Sequence, residues 1–353
     1  MYSESDLQSA VDAGAISAEA AEALRNHVAS QRATPAVDEE NFRLLTGFND
    51  IFVVIAIALL LTAISWIGGA VAPALGSALV AAASWGLAEF FTRQRRMALP
   101  SIVLLLTFVC GVAGTALEIL APTEMGRFML DRANALSAIS FAGIGLAAVI
   151  AATAHWVRFR VPITVAAGAL SFLVLLLALL VSVLPALKDH LTWLCLGGGI
   201  ALFAFAMRWD MADRSRRSRR SDVAFWLHLA AAPLIAHPIF AALGVFAGAI
   251  GMAQAAIVVL LYVLFAVLSL AIDRRALLVS SLAYVLFAIS KIFETFGAVG
   301  LSAALTALVI GSALLMLSAF WHPARRLVMA PLPQGLKDRL PILGHATTAT
   351  KPA

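Results

Sequence analysis

The sequence predicts an all-α fold: a polytopic transmembrane helix bundle of about ten spans, with both termini on the cytoplasmic side. Three observations predict it. Of 353 residues, 62% are hydrophobic and only 13% charged, with a mean hydropathy of +0.94, too little polar surface to cover a water-soluble core. Apolar stretches of about 18 residues or more recur with short polar breaks, the length that crosses the hydrocarbon of a bilayer. Arginine gathers in every second break, as it does on the cytoplasmic side of membrane proteins.

Residues 1–48 come first, as a cytoplasmic helical hairpin and linker. Ser3 can cap a first short helix with Asp6 at the capping-box position, Gly14 can end it, and Ser17 can cap a second. Leu7, Ala10 and Val11, then Ala20, Leu24 and Val28, keep helical spacing. The hairpin is either a solvated pair near the membrane surface or a docking module for a protein partner. Pro35 and the run Asp38, Glu39, Glu40 mark the linker. Apolar sequence begins only at Ile51, so the reading expects no cleaved leader and a first span that stays as an anchor.

The transmembrane bundle occupies 49–322. Spans are expected at 51–72, 73–91, 98–120, 134–154, 161–184, 191–207, 222–242, 249–272, 276–297 and 299–320. Asn49 and Asp50 suit the start of the first, Asn134 the fourth, and Pro162 the first turn of the fifth. Arg93, Arg95, Arg96, Arg158, Arg160, the six arginines of 208–220, Arg274 and Arg275 fill alternate connections, against Arg127, Arg132 and Lys188 in the others: thirteen basic residues to three. The arginine-rich side is therefore expected in the cytoplasm, and the seven tryptophans near span ends agree with the spans. Arginine outnumbers lysine 21 to 4 and alanine is abundant, a coding bias that suggests a bacterium and its inner membrane.

Pairing of spans around each basic turn, as at Arg96-Met97-Ala98-Leu99-Pro100 and Arg160-Val161-Pro162, suits either a hairpin repeat or charge selection alone. The tail, 323–353, holds five of the thirteen prolines and is expected to be mostly disordered.

The opening Leu7-Gln8-Ser9-Ala10-Val11-Asp12-Ala13-Gly14-Ala15-Ile16-Ser17-Ala18-Glu19-Ala20, followed by serial apolar hairpins with arginine-rich turns, resembles a family of bacterial membrane proteins, the domain-of-unknown-function group numbered twenty-one fifty-seven. The resemblance implies a two-helix cytoplasmic start and serial transmembrane hairpins, and it implies no activity.

Catalytic or metal-binding patterns are missing from the sequence. There is no His-Glu-x-x-His, and His155, His190, His228, His237 and His322 stand at no metal-ligand spacing, so each reads as an interface or satisfied packing residue. Cys110 and Cys195 lie in apolar spans and read as packing residues. No cofactor is expected, and nucleic acid is not needed to explain the pI of 9.7.

Three groups are candidates for a site. Lys291 and Glu294 share a helix face, and Glu118 approaches the same outer level; they are either a polar cluster or snorkelling surface residues. Gly197, Gly198, Gly199, Pro233, His237 and Pro238 are either an irregular-helix site or close-packing residues. Arg214, Arg216, Arg217, Arg219 and Arg220 form a basic loop expected on anionic inner-leaflet lipid, or docking a partner. The functional expectation is a structural or regulatory protein acting through lipid or protein contacts; the alternative is a secondary transporter, with an integral-membrane enzyme third.

Overall fold

A computed structural model of the chain describes residues 4–31, 48–120, 135–214, 216, 218–245, 251–298 and 300–341. Among them there are helices and no strands. The chain divides into two compact units. The first holds α1, Glu4–Asp12, and α2, Ala18–Gln31. Gly14 ends α1 with φ +69°, a left-handed conformation that costs glycine little, and Ser17 Oγ caps α2 by accepting from the Ala20 N–H at 3.0 Å. Leu7 of α1 and Ala21 of α2 are buried.

The second unit is the bundle. Its helices are α3, Phe48–Val71; α4, Pro73–Ala88, continued by a π-helical turn over Glu89–Gln94; and α5, Ala98–Leu120. Next come α6, Ala135–Phe159; α7, Ile163–Val183; α8, Leu191–Ala212, entered by a short 3-10 turn; and α9, Arg219–Ala242. They are followed by α10, Met252–Ile272; α11, Ala276–Thr295; and α12, Ser302–Ala319. Ten helices, α3 to α12, are long and apolar enough to cross a membrane, and the chain is a multi-pass membrane protein. The expected spans match these ten, with ends displaced by a few residues. Asn134, Pro122, Arg127 and Arg132 lie outside the described residues.

The most extensive contacts run between chain neighbours: α4 with α5, α6 with α7, α8 with α9, and α10 with α11. Each of these hairpins turns at the same arginine-rich end, and each turn passes through one non-glycine residue in the left-handed region: Arg96 (φ 53°), Arg160 (φ 54°), Arg216 (φ 53°) and Asp273 (φ 58°). That conformation costs an ordinary side chain about 1–2 kcal/mol, so its recurrence gives the hairpins a shared geometry that hydropathy alone does not require.

Helix α9 lies deepest. It packs on α8, α7 and α11, and Ala224, Leu227, Ala231, Ala232, Ala236 and Phe240 along it are 0% exposed. Phe240 stacks on Tyr284 of α11 at 4.4 Å. A Cβ on Gly199 would stand 2.8 Å from Leu234 Cβ, and one on Gly198 would meet the Leu173 side chain. These glycines let α8 approach α9 and α7 closely, the packing role of small residues in membranes. Pro233 and Pro238 both sit inside an unbroken α9, and His237 Nδ1 lies 3.0 Å from the Tyr284 hydroxyl. The stretch expected to be least regular is therefore continuous helix, and Gly197 faces open space.

Beyond α12 the fold departs from expectation. Instead of an extended tail from residue 323, the chain forms α13, Trp321–Met329, and α14, Gln334–Lys337. Trp321, Arg325, Met329 and Leu340 are buried, with Met329 and Leu340 packed on Ile272. Pro323 falls in the first turn of α13, and Pro331, Pro333 and Pro341 in the connections beside α14, where no helical hydrogen bond is lost, and so they punctuate the segment without dissolving it. Residues 342–353 lie outside the described residues.

Candidate functional site

At the arginine-rich end, two polar constructions lie side by side. The first is a buried charge cluster. Asp210, near the end of α8, is 1% exposed; the loop between α8 and α9 is short and brings His228 of α9 within 2.9 Å of Asp210 Oδ2. Arg274, also 1% exposed, donates from Nη2 to Asp210 Oδ1 at 2.7 Å and to the Ser221 carbonyl at 3.0 Å. One carboxylate thus joins α8, α9 and the turn before α11. Buried charge is tolerable only when it is paired and hydrogen-bonded in this way.

Asp273 anchors the adjacent half. Its carboxylate accepts from Trp321 Nε1 at 2.8 Å and from Arg216 Nη1 at 3.0 Å, and Arg325 Nη1 stands 3.4 Å away. Arg216 also donates to the Asp273 carbonyl at 2.9 Å. Burial, its largest influence, lowers the Arg216 guanidinium from its ordinary value, and Arg274 acts in the same direction while Asp273 and Asp210 oppose. Arg325 donates to the Leu270 carbonyl at 3.1 Å and the Pro341 carbonyl at 2.8 Å, and Arg214 to the Leu340 and Lys337 carbonyls, both at 3.0 Å. These arginines fasten the segment after α12 by capping its free carbonyls.

This corrects the expected lipid-facing loop. Arg214 and Arg216 turn inward to protein acceptors, because the backbone carbonyls at α14 and at the end of α10 need donors where water is scarce. Arg219 and Arg220 are exposed, and Arg217 lies outside the described residues. Trp321, expected at the lipid interface, is instead 2% exposed beneath Arg275, whose guanidinium stands 4.8 Å above its ring.

The second construction is a cavity of about 400 Å³ where the α4–α5 and α6–α7 turns meet the start of α9. Arg93, Arg96, Arg158, Arg160 and Arg219 line it together with a single acid, Asp222. Arg158 is already committed: Nε and Nη2 reach the two oxygens of Glu89 at 2.6 and 2.8 Å, and Arg93 reaches Glu89 at 3.4 Å. The π-helical turn that carries Glu89, Thr92 and Arg93 is of the kind often found at functional sites. Trp226, Ile102, Val161 and Ile163 form an apolar wall. No sequence pattern marked this cavity, because its arginines come from separate turns.

The expected polar cluster of Lys291, Glu294 and Glu118 is divided between two helices. Lys291 Nζ donates to Glu294 at 2.7 Å, both about one-third exposed. Glu118 is half-buried near the end of α5. That helix packs among α3, α4, α6 and α7, whereas α11 packs among α9, α10 and α12, so Glu118 belongs to a different helix neighbourhood from Lys291 and Glu294. Among the described residues, no group of three or more His, Cys, Asp or Glu could hold a metal ion. Cys110 and Cys195 are free thiols. No family model, curated protein or solved structure matches the chain.

Proposed function

We propose that this multi-pass protein belongs to a bacterial inner membrane, with its arginine-rich end in the cytoplasm, and works as a structural or regulatory element through lipid and protein contacts. The observation that carries this reading is the closure of α9, the deepest helix, whose middle residues Ala231, Ala232 and Ala236 are 0% exposed. A transporter needs a polar path near the midplane. The buried charges described above, Asp210, Asp273, Arg274 and Arg325, instead lie at the arginine-rich end, paired with one another or with backbone carbonyls. The resemblance to the domain-of-unknown-function family fits the reading without adding an activity, and the chain is taken as non-catalytic.

Orientation is tested by reporter fusions. Fusions after Arg96, Arg160, Arg217 and Arg275 are expected to report cytoplasm, and those near Pro122, Asp189 and Gly244 the outer side. An outer-side signal at Arg217 overturns the orientation.

Closure of the core is tested separately. With Cys110 and Cys195 replaced by Ala, cysteines placed at Ala231 and Ala236 should resist a membrane-impermeant maleimide added from either side, while Arg220→Cys reacts. Modification of either core position would favour the alternative, a secondary transporter.

A further inference from the structure

We propose that the arginine-lined cavity is a binding site for a phosphate-bearing anion, held between the α4–α5 and α6–α7 turns. The proposal rests on the reading of the chain as a contact protein of the membrane and names the ligand of the site described above. Its volume of about 400 Å³ is that of a small-ligand pocket. Glu89 is paired with Arg158 and Arg93, and Asp222 is the lining acid, which leaves three guanidinium charges in excess. No side-chain hydrogen bond from Arg96, Arg160 or Arg219 to the protein is found among the described residues, in contrast to the inward-turned Arg214, Arg216, Arg274 and Arg325. One end of the bundle therefore contains two kinds of arginine: some saturated by the fold and some held in reserve.

Backbone geometry points the same way. Arg96 and Arg160 occupy the left-handed region, where a glycine or asparagine would serve a tight turn at lower cost. Both line the cavity. Thr92 Oγ1 is buried in the π-helical turn with no hydrogen-bond partner, and Thr92 lines the same cavity, so an acceptor oxygen there would satisfy it. Guanidinium forks match phosphate oxygens in pairs, a geometry lysine lacks, and the chain uses arginine for all five basic lining positions.

The ligand chemistry is a phosphate ester next to an apolar group, since Trp226, Ile102, Val161 and Ile163 face the same space. Such a group can come from an anionic phospholipid headgroup or from a soluble phosphorylated molecule. The test uses the full chain purified in a non-ionic detergent and titrated with dioleoyl phosphatidylglycerol, with glycerol phosphate, and with inorganic phosphate, binding being followed by native mass spectrometry. We expect saturable binding of phosphatidylglycerol that weakens about tenfold for each of Arg96→Gln and Arg160→Gln and is unchanged by Arg275→Gln, which lies outside the cavity. Arginine-dependent binding of glycerol phosphate or inorganic phosphate, with none of the lipid, keeps the site and assigns it to a soluble ligand. Equal binding by the wild type and both cavity variants overturns the proposal.

A second measurement needs no variant. In phosphatidylglycerol nanodiscs, amide exchange at 92–98 and 158–163 should slow relative to phosphatidylcholine nanodiscs if the ligand is the lipid, and glycerol phosphate should slow it in phosphatidylcholine if the ligand is soluble. No slowing under either condition also overturns the site. Failure here leaves the closed core intact, because labelling at Ala231 and Ala236 reads that separately.

Discussion

Replacing Arg274 by leucine is expected to lower the stability of the bundle by about 3–5 kcal/mol, the usual cost of removing one partner from a buried ion pair. The Asp210 carboxylate would keep only His228, at 2.9 Å, and the Ser221 carbonyl would lose the donor that reaches it at 3.0 Å. Asp210→Asn should cost less, since an amide oxygen can still accept from Arg274. Combining Arg274→Leu with Asp210→Leu should cost less than the two single changes added together, because the second removes the charge that the first strands. Unfolding in mixed detergent micelles, followed by tryptophan fluorescence, measures the cycle. Strict additivity would show that the two side chains do not depend on each other.

Asp273→Ala has a comparable expected cost, about 3–5 kcal/mol, and a different outcome. The change strands Arg216 and Trp321, bonded at 3.0 and 2.8 Å, and places alanine at φ 58°, which adds about 1–2 kcal/mol of backbone strain. Because these bonds fasten the chain beyond α12, amide exchange over 321–341 should rise and a protease should cut there, while α4 to α7 stay protected. Asp273→Asn retains an acceptor oxygen and tolerates the left-handed turn, and it should release the segment less. Unchanged protection of α13 in Asp273→Ala would mean that Arg325 and apolar packing hold the segment without the carboxylate.

The spans were legible because hydropathy is a one-dimensional signal: from Ile51 to Phe320 the apolar runs are long and the breaks short. The turns were legible for the same reason, as each carries arginine. What any one arginine does was not. Arg216 and Arg219 are three residues apart in one loop, yet the first binds Asp273 and the second lines a cavity; composition assigns both to a lipid-facing face. Asp210 and Arg274 are 64 positions apart, and only the packing of α8 to α11 makes them neighbours. The segment after α12 was misread through its prolines. Trp321, Met329 and Leu340, the residues that bury it, are too few and too widely spaced to outweigh a proline count. His228, expected to be an interface or satisfied packing residue, is paired with Asp210 through Nε2, while its Nδ1 is buried with no hydrogen-bond partner among the described residues.

The left-handed turns also have a consequence for how the protein is made. Each hairpin joins two helices that touch more extensively than most others in the bundle, and the turn between them is short enough to bring the second helix back against the first as soon as both have been synthesised. Contacts of this kind are local in sequence and cost little loop-closure entropy. Biogenesis can therefore advance in two-helix increments, each increment leaving the translocation machinery already paired. Helix α3 precedes the first of these hairpins, and its strongly exposed Trp66, Ile67 and Val71 are side chains that tolerate lipid on their own. The helices and turns that carry Asp210, Arg216, Asp273 and Arg274 are made after the hairpins α4–α5 and α6–α7, which are then already in place to receive them.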